Sequence, residues 1–499
     1  MTRAFWTLSR LADALAGVNP STPAPPRRAG HGDAFPRGHS PVARIWTDTR
    51  TIGAADCFVA LRGDSFDGHD FLEQAVDAGA AALVVDDARR ARALGVPAFV
   101  VPNTLTALGA LARYRREAWG RPVVAVGGSN GKTSTKELLR AALAARLTVH
   151  ATQGNLNNQV GVPLTLLALP DAADVAVVEV GTNTPGEIAI LRDIVRPDAA
   201  VVTAIEEEHL EGFGDLAGVL REEASLLDGV PLAVVPSHET ALVAEARRRA
   251  RRVVATGLPE RAVPTAHATG GDAGAVGVGA LVESLIADSA SLAADGTGRL
   301  SLGAVEVTVP LRGEHNLRNA MLALAVARAS GVSVADAGRG ISTLQPGAVP
   351  GMRSAVEPLG AALLVNDCYN ANPGSARAAI RLLGAVAGAR PRVIVLGTMR
   401  ELGAHEGAAH RDIAREALAS GAALVAGIGA FAPALRELAP DDARVVTADD
   451  VADLWPALAP RLARHAAILL KASRGVRLER LVPHLRDWAG VAPPAHRTG

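Results

Sequence analysis

A glycine-rich segment at residues 127–133 contains the residue types that bind phosphate groups. It follows an apolar run at 123–126 and precedes leucines at helical spacing, so we predict a strand, a turn and a helix. Backbone N–H groups of glycines and a helix N-terminus bind phosphate oxygens, an ammonium adds charge, and a Thr hydroxyl suits Mg²⁺. We therefore predict a nucleotide phosphate site comprising Gly128, Ser129, Asn130, Gly131, Lys132, Thr133 and Ser134.

Two features qualify this prediction. Only two residues separate Gly128 from Gly131, whereas the usual phosphate loop has four in the corresponding gap, so an ordinary GTPase or kinase loop fits poorly. The chain has 51 Lys plus Arg but only three lysines, at positions 132, 136 and 471. Because a planar guanidinium cannot replace a compact ammonium, we infer that Lys132 is kept for its chemistry. For Lys136, an exposed position on the helix is an equally good interpretation.

Two more predicted strands, at 174–178 and 199–205, lead to Glu179 and His209. Carboxyl ends of neighbouring parallel strands share one edge of a sheet, so we expect these two side chains to meet near the phosphate loop. They could hold a Mg²⁺ that bridges a γ-phosphate and an acceptor oxygen. The acids around them are interpreted as solvent-exposed; these are Glu206, Glu207, Glu208 and Glu211.

Polar loops elsewhere could contact ligands. Asn157 and Asn158 lie in a run that cannot be a helix interior and that could hydrogen-bond a substrate. Amides at the start of the helix carrying Asn319 could read the edge of a base, although capping explains Asn316 almost as well. Lys471 to Arg474 follow a strand and suit a small anion. Other polar residues after strands have surface loops as the alternative; these are Asp48, Thr49, Arg50 and Arg62.

Length and composition place the chain in the α/β class. Its 499 residues suggest three domains of ~150 residues, which we place at 1–119, 120–345 and 346–499. Alternating strand and helix patterns predict mainly parallel sheets in the central and C-terminal domains. Residues 19–41 are interpreted as a flexible Pro- and Gly-rich insertion, and 268–280 as a Gly- and Ala-rich stretch of the central domain.

Charge and cysteine usage limit the partners. Basic and acidic residues balance at 51 each, so no overall field attracts nucleic acid or anionic lipid. Cys57 and Cys368 are the two cysteines, which indicates a reducing cytoplasm without a disulfide framework. No run approaches the ~18 apolar residues of a membrane span, and the N-terminus lacks a cleavable signal pattern. We expect no membrane insertion.

Nine segments taken together resemble the Mur ligase family. They lie within residues 44–480 in the family's order, and nine consecutive matches are far more specific than one short loop. The segments are TDTR with FVALRGDSFDGHDF, GSNGKTSTKE, GNLNNQVGVPLTLL, EVGTNTPGEI, HLEGFGDLAGV, LRGEHNLRNAMLALA, NDCYNANPGS, VLGTMRELG and LLKASRG.

The resemblance implies an ATP- and Mg²⁺-dependent peptide ligase of cytoplasmic peptidoglycan synthesis. Its expected partners are a UDP-N-acetylmuramoyl tripeptide and D-alanyl-D-alanine, joined through an acyl phosphate, and we expect a monomer. The three domains would be UDP-substrate-binding, ATP-binding with a phosphate loop, and Rossmann-like. The resemblance leaves the third residue of the acceptor peptide open.

The same resemblance assigns roles to matching positions. Asn319, Arg353 and Asp367 would contact the nucleotide. The loop of Asn157 and Asn158 would contact the muramoyl peptide. The UDP part would be bound by Asp48, Thr49, Arg50 and Arg62, and the dipeptide and phosphate by Tyr369, Asn370, Asn372, Lys471, Ser473 and Arg474.

The chain departs from the family at two places. The family has a carbamylated lysine that bridges the metals, but this chain has Arg221-Glu222-Glu223 there and no lysine between 136 and 471. We predict that the Glu223 carboxylate takes this place, with Glu222 as the fallback and exposed helix positions for both as the alternative. The predicted metal ligands are then Thr133, Glu179, His209 and Glu223. Thr398 stands where the family has Asp, which leaves that loop's role with the dipeptide open.

Three other functions share some of these sequence features. A Mur ligase that adds the third residue lacks support, because its DNPR-type loop is missing here. Folylpolyglutamate synthase shares the nucleotide motifs but not the YNANP and KASR loops. A non-catalytic nucleotide-binding module would need no set of Glu179, His209 and Glu223.

Overall fold

The computed structural model describes residues 4–18, 40–259, 281–345, 349 and 352–491. Nearly all of the insertion predicted at 19–41, the stretch at 268–280 and the boundary residues 346 and 347 lie outside these ranges. The chain forms two compact units: residues 1–123, 150–180 and 189–197, and residues 124–149, 181–188 and 198–499. The predicted domain boundaries stay predictions.

The helices and strands follow in chain order. Up to residue 119 they are Trp6–Thr7 (β1), Leu8–Leu15 (α1), Pro41–Val42 (β2), Ile45–Trp46 (β3), Cys57–Val59 (β4), Arg62–Gly63 (β5), Phe66–Asp67 (β6), Leu72–Asp77 (α2), Ala82–Val85 (β7), Ala88–Ala91 (α3), Ala98–Val100 (β8) and Thr104–Trp119 (α4). From 120 to 345 they are Val123–Gly127 (β9), Lys132–Ala144 (α5), Val149–Ala151 (β10), Gly161–Leu167 (α6), Val175–Glu179 (β11), Glu187–Val195 (α7), Ala199–Val202 (β12), Leu210–Phe213 (α8), Leu216–Ala224 (α9), Leu232–Pro236 (β13), Thr240–Arg249 (α10), Arg252–Gly257 (β14), Leu281–Ile286 (β15), Ser289–Leu292 (β16), Thr297–Leu302 (β17), Val305–Arg312 (β18), Glu314–Ala329 (α11) and Val334–Ser342 (α12).

The remaining elements belong to the C-terminal part. They are Ala355–Leu359 (β19), Ala362–Asp367 (β20), Pro373–Val386 (α13), Arg392–Leu396 (β21), Glu406–Ala419 (α14), Leu424–Ile428 (β22), Phe431–Leu438 (α15), Val445–Ala448 (β23), Val451–Leu458 (α16), Ala467–Lys471 (β24) and Leu481–Ala489 (α17). Short 3-10 helices occur at Gly68–Phe71, Ser225–Leu227, Gly403–His405, Ala459–Arg461, Arg474–Val476 and Leu478–Arg480.

The first unit contains a four-stranded parallel sheet in the order β3-β4-β7-β8. The four residues of β7 are all buried, as expected for a parallel strand covered on both faces. One apolar cluster includes Leu11 of α1 and Leu108 of α4, and a second includes Leu72 of α2. The sheet is therefore covered by helices on both sides. Strand β11, with Glu179 as its last residue, also lies in this unit.

In the second unit, β9, β12, β13, β14 and β15 pair in parallel in that order. All five residues of β9 are buried, so its apolar run could only form a central strand. The pairing of Val202 with Gly127 places the loops that follow β12 and β9 side by side. Strand β12 ends three residues earlier than predicted, which leaves 203–209 as an irregular segment beside the phosphate loop.

The C-terminal sheet has the order β19-β20-β24-β21-β22-β23, in which β19 alone is antiparallel to its neighbour. Lys471 is the register partner of Asp367 on one side and of Leu396 on the other. The carboxyl ends of β20, β24 and β21 therefore lie together. A separate antiparallel sheet of β16, β17 and β18 precedes α11. No helix among the described residues has the length and apolar character needed to cross a membrane.

Lys136 and Glu222 are buried, although the sequence allows an exposed helix position for each. Lys136 is 1% exposed in α5 and its ammonium lies 3.2 Å from Glu137, so the helix-surface interpretation is wrong. Glu222 is also buried in α9, where one carboxylate oxygen accepts from the Gly186 N–H at 2.8 Å and the other from the Ile188 N–H at 2.9 Å. Glu222 therefore fixes the turn that leads into α7.

Replacing Glu222 should loosen this turn. Glu222→Ala leaves two backbone N–H groups without their acceptor, and each buried unsatisfied group costs about 1–3 kcal/mol. We expect the thermal midpoint to fall by several degrees and amide exchange at Gly186 and Ile188 to accelerate. The matched control is Glu437→Ala, since Glu437 is exposed on α15. Unchanged exchange at both amides would contradict this role.

Candidate active site

The phosphate loop has the backbone shape that its glycines predict. Gly128 has a φ of +112°, and a Cβ there would lie 2.6 Å from the backbone nitrogen of Thr203. Gly131 has a φ of +86° immediately before α5, and a Cβ there would meet the Asn319 amide at 3.0 Å. Both positions require glycine, because other residues would add a clash to an unfavourable left-handed conformation. The predicted order of strand, turn and helix is confirmed.

Lys132 lies across the mouth of this loop. Its ammonium donates to the Gly128 carbonyl oxygen at 2.6 Å and to a carboxylate oxygen of Glu208 at 3.3 Å. Glu208 is only 6% exposed, so its interpretation as solvent-exposed is wrong. A buried carboxylate beside a partly buried ammonium offsets part of the desolvation cost of both. These contacts therefore fix the Lys132 ammonium at the position where phosphate oxygens are expected.

Glu223 is buried against the same loop. Its carboxylate accepts from the Gly128 N–H at 2.7 Å, and its side chain is 1% exposed. Burial raises the pKa of Glu223 to about 7, although the Lys132 ammonium lowers it. The alternative of exposed helix positions for Glu222 and Glu223 is thus wrong, while metal binding by Glu223 stays a prediction.

A loop of the C-terminal part contacts the phosphate loop directly. The side-chain amides of Asn130 and Asn372 exchange two hydrogen bonds, at 3.0 and 3.1 Å. The Asn372 amide also donates to Glu208 at 3.4 Å. Asn372 additionally caps α13 by accepting from the Ser375 N–H, which fixes its side chain. Glu208 therefore joins Lys132 to the loop that follows β20.

His209 is held by another C-terminal residue. Its Nδ1 pairs with the Glu401 carboxylate, and its Nε2 lies 3.8 Å from Glu208. His209 has a φ of +52° and Glu401 one of +66°, so both occupy a backbone region that only tertiary contacts maintain. Glu179 belongs to the first unit, and its meeting with His209 stays a prediction.

Six of the ten predicted nucleotide residues line one cavity of about 670 Å³, whereas Gly128, Ser129, Lys132 and Thr133 are not part of its wall. Within it, the Arg353 guanidinium lies 3.9 Å from the centroid of the Tyr369 ring. The cavity combines a stacked cation, amides and the start of the phosphate loop, which are the groups that bind a base, a ribose and phosphates. Predicted residues along its wall are Asn130, Gly131, Ser134, Asn319, Arg353, Asp367, Tyr369, Asn370 and Lys471.

Lys471 contributes structure as well as charge. It is 2% exposed, and its ammonium lies 2.9 Å from the Asp367 carboxylate and 2.5 Å from the Asn370 carbonyl oxygen. Ser473 donates to the Ala371 carbonyl oxygen at 3.3 Å. These contacts hold the YNANP loop against the end of β24.

The residues predicted to bind the UDP part lie in the first unit, and they already contact one another or nearby carboxylates. Arg50 pairs with Asp48 at 2.7 Å with its side chain largely exposed, and the Thr49 hydroxyl lies 3.3 Å from Gln74. Arg62, on the β5–β6 hairpin, pairs with Asp86 at 2.8 Å. Their role with UDP stays a prediction.

The two asparagines after β10 differ in what they contact. The Asn157 amide donates to Glu179 at 3.0 Å, whereas the Asn158 side chain accepts from the Gly161 N–H at 2.9 Å at the start of α6. Asn157 therefore positions a predicted metal ligand. Asn158 caps a helix, and its contact with a substrate stays a prediction.

Sequence reasoning missed Glu208 and Glu401 as parts of the site. Glu208 is the last of three consecutive acids before His209, and the adjacent imidazole was the available signal. No comparable signal marked Glu401. Thr398 has a structural contact, because its hydroxyl accepts from the Ala430 N–H at 3.0 Å.

Donor chemistry around Lys132 suits Mg²⁺, since Glu208 and Glu223 supply carboxylate oxygens and Thr133 a hydroxyl at the loop. Within the described ranges, no group of three or more His, Cys, Asp or Glu side chains is arranged closely enough to hold a metal ion. The metal-ligand set stays a prediction.

Comparison with known proteins identifies the class. Three family models match the chain: "Mur ligase family, catalytic domain" at 41–116, "Mur ligase middle domain" at 126–327, and "Mur ligase, glutamate ligase domain" at 354–474. The chain belongs to the Mur ligase family. The predicted resemblance and the α/β class with three domains are confirmed.

Its relatives carry a more specific name. The UDP-N-acetylmuramoyl-tripeptide–D-alanyl-D-alanine ligase of Bacillus subtilis is 34% identical over 451 residues, covering 88% of this chain and 92% of the relative. A crystal structure of MurF from Acinetobacter baumannii matches with a TM-score of 0.79 and 30% identity, covering 97% and 99% of the two chains. MurF ligase from Thermotoga maritima in complex with ADP matches at 0.72 and 25%, covering 90% and 98%.

Loss of the Lys132 ammonium should disable the phosphate loop. We expect Lys132→Met to lower the ATP-dependent turnover number by about 100-fold or more, because transition-state charge then lacks a preorganised cation. Lys132→Arg should recover little of the lost turnover, since a planar guanidinium cannot occupy the space of an ammonium. Steady-state ADP release measures both, with Arg140→Met on the same helix as the control. A folded Lys132→Met protein with normal turnover would refute the assignment.

Proposed function

We propose that this chain joins D-alanyl-D-alanine to a UDP-N-acetylmuramoyl tripeptide at the expense of ATP. The observation that carries the proposal is the direct contact between the phosphate loop and the C-terminal loops, through Asn130, Asn372 and Glu208. A nucleotide-binding module without catalysis has no need for this contact. A ligase needs it, because phosphoryl transfer and amide formation occur on the same carboxyl group.

The reaction has two steps. The tripeptide carboxylate oxygen attacks the γ-phosphorus, the bond from that phosphorus to the bridging oxygen breaks, and ADP leaves. The dipeptide amine then attacks the acyl phosphate carbon, a tetrahedral intermediate forms, and inorganic phosphate leaves as the nitrogen loses a proton. Both steps bring anions together, so fixed positive charge must offset their repulsion.

The chain's own groups supply part of that charge. Lys132 would contact the transferred phosphate, with Glu208 and the Gly128 carbonyl oxygen holding its ammonium in place. Asn319, Arg353 and Asp367 line the cavity for the rest of the nucleotide. Lys471 and Ser473 hold the YNANP loop beside it, where the dipeptide would enter.

Mg²⁺ would complete the site. We propose Thr133, His209 and Glu223 as ligands from the second unit, and Glu179 keeps the same role predicted from the sequence. When bound, the ion would reduce the repulsion between the nucleotide phosphates and the acceptor carboxylate. The Glu223 carboxylate would stand in for the carbamylated lysine of the family.

The setting follows from the substrates. Because ATP and a UDP-linked precursor are the proposed substrates, we place the activity in the cytoplasm, with a monomer as the working form. The partners are then small molecules rather than nucleic acid or a membrane.

One assay tests the function. ADP release and product mass are measured with ATP, Mg²⁺ and a UDP-N-acetylmuramoyl tripeptide, with and without D-alanyl-D-alanine. We expect release to require both peptide substrates, to stop when EDTA removes divalent ions, and to return with excess Mg²⁺. ATP binding without dipeptide-dependent ADP release would instead support a binding module.

A further inference from the structure

Two loops at the carboxyl edge of the C-terminal sheet are joined residue by residue. The Gly397 N–H donates to the Lys471 carbonyl oxygen at 2.9 Å, and the Ser473 N–H to the Thr398 carbonyl oxygen at 3.2 Å. The Arg400 N–H then donates to the Ser473 hydroxyl at 3.0 Å. The backbone of Arg400 is therefore fixed beside Ser473, a residue predicted to contact the dipeptide and phosphate.

The Arg400 side chain lies over Gly475. One guanidinium nitrogen donates to the Gly475 carbonyl oxygen at 3.3 Å, and a Cβ on Gly475 would lie 2.2 Å from another. Glycine at this position thus lets the guanidinium lie against the backbone. The Arg400 side chain is exposed, and within the described ranges no carboxylate lies within ion-pairing distance of it. Its charge is available to a ligand.

Other cations near this edge are already engaged. Lys471 is buried and paired with Asp367 at 2.9 Å. Arg474 lies 3.8 Å from Glu479, with a guanidinium nitrogen 3.2 Å from the Met352 sulfur. Arg353 stacks on Tyr369 in the nucleotide cavity. Among these four cations, Arg400 alone has neither a carboxylate nor an aromatic ring as partner in the described structure.

The residues next to Arg400 on its loop do not pair with its guanidinium. Thr398 carries no charge, and its hydroxyl accepts from the Ala430 N–H. The next acid along the loop, Glu401, is paired with His209. Within the described residues, no carboxylate of this loop therefore pairs with Arg400.

The proposed reaction supplies an anion that needs such a group. D-alanyl-D-alanine reacts through its amine, so its terminal carboxylate stays negative throughout, close to ATP and the acyl phosphate. We propose that Arg400 binds this carboxylate by charge-assisted hydrogen bonds and is a specificity-determining residue for the incoming dipeptide. This assignment rests on the proposed function and names one residue of its second substrate site.

The test varies the enzyme and the substrate together. With ATP and the UDP-muramoyl tripeptide saturating, steady-state kinetics are measured with D-alanyl-D-alanine and with its C-terminal carboxamide. Wild-type enzyme should use the carboxamide with a kcat/KM lower by about tenfold or more, since one charged hydrogen-bond partner is lost. Arg400→Met should raise the KM for the dipeptide by a similar factor, leave the KM for ATP unchanged, and remove the preference for the carboxylate.

Two further variants separate binding from general effects. Arg400→Lys keeps a positive charge but lacks the planar guanidinium, so it should retain part of the preference for the dipeptide over its carboxamide. The same variant replaces Arg400→Met in the test if the Met variant is unstable. Arg477→Met removes a nearby exposed cation on the same segment as Arg474 and should keep the wild-type preference.

The outcomes are distinguishable. An Arg400→Met enzyme that still prefers the dipeptide over its carboxamide as strongly as wild type overturns the assignment of Arg400. Equal use of both by the wild-type enzyme overturns it as well. Ligation of neither compound by the wild-type enzyme overturns the proposed function, and this assignment with it.

Discussion

The ion pair between the partly buried Lys132 and the buried Glu208 is the constraint on which the rest of the site depends. An ammonium with this little solvent would be costly without a partner, and a lone carboxylate beside phosphates would repel the substrate. Pairing resolves both problems while leaving the charge at the loop. Each neighbouring element contributes to it: β9 presents the loop, the segment after β12 presents Glu208, and α9 places Glu223 on the Gly128 N–H.

The pair also explains why separate sheets must cooperate. Glu208 accepts from Asn372, which in turn exchanges hydrogen bonds with Asn130 of the phosphate loop. Carboxyl ends of parallel strands from two sheets therefore present their loops to one another, as α/β folds do around ligands. The C-terminal loops that hold Lys471 and Arg400 are thereby connected to the atoms that we predict contact the nucleotide.

Much of this could be predicted from sequence, and the exceptions have physical reasons. The phosphate loop was predictable because an apolar run such as β9 forms a buried strand, and glycines adopt the positive φ angles that the turn after it requires. The sequence predicts the same solvent exposure for Glu206, Glu207 and Glu208. Consecutive residues in an irregular segment point in different directions, however, and only tertiary contacts decide that Glu208 is buried. Adjacent Glu222 and Glu223 show the same limit, since one holds a turn and the other the loop. Partners from distant segments, such as Glu401 for His209, leave no local pattern.

The central claim is that the phosphate loop and the loop after β20 act as one site. A double-mutant cycle of Asn130→Ala and Asn372→Ala on dipeptide-dependent ADP release tests it most directly, because coupling energies report pairs that act together. The account predicts that each single variant slows release and that the double variant is little slower than the worse single one, a coupling of about 1 kcal/mol or more. Effects that simply add, with no coupling, would contradict it.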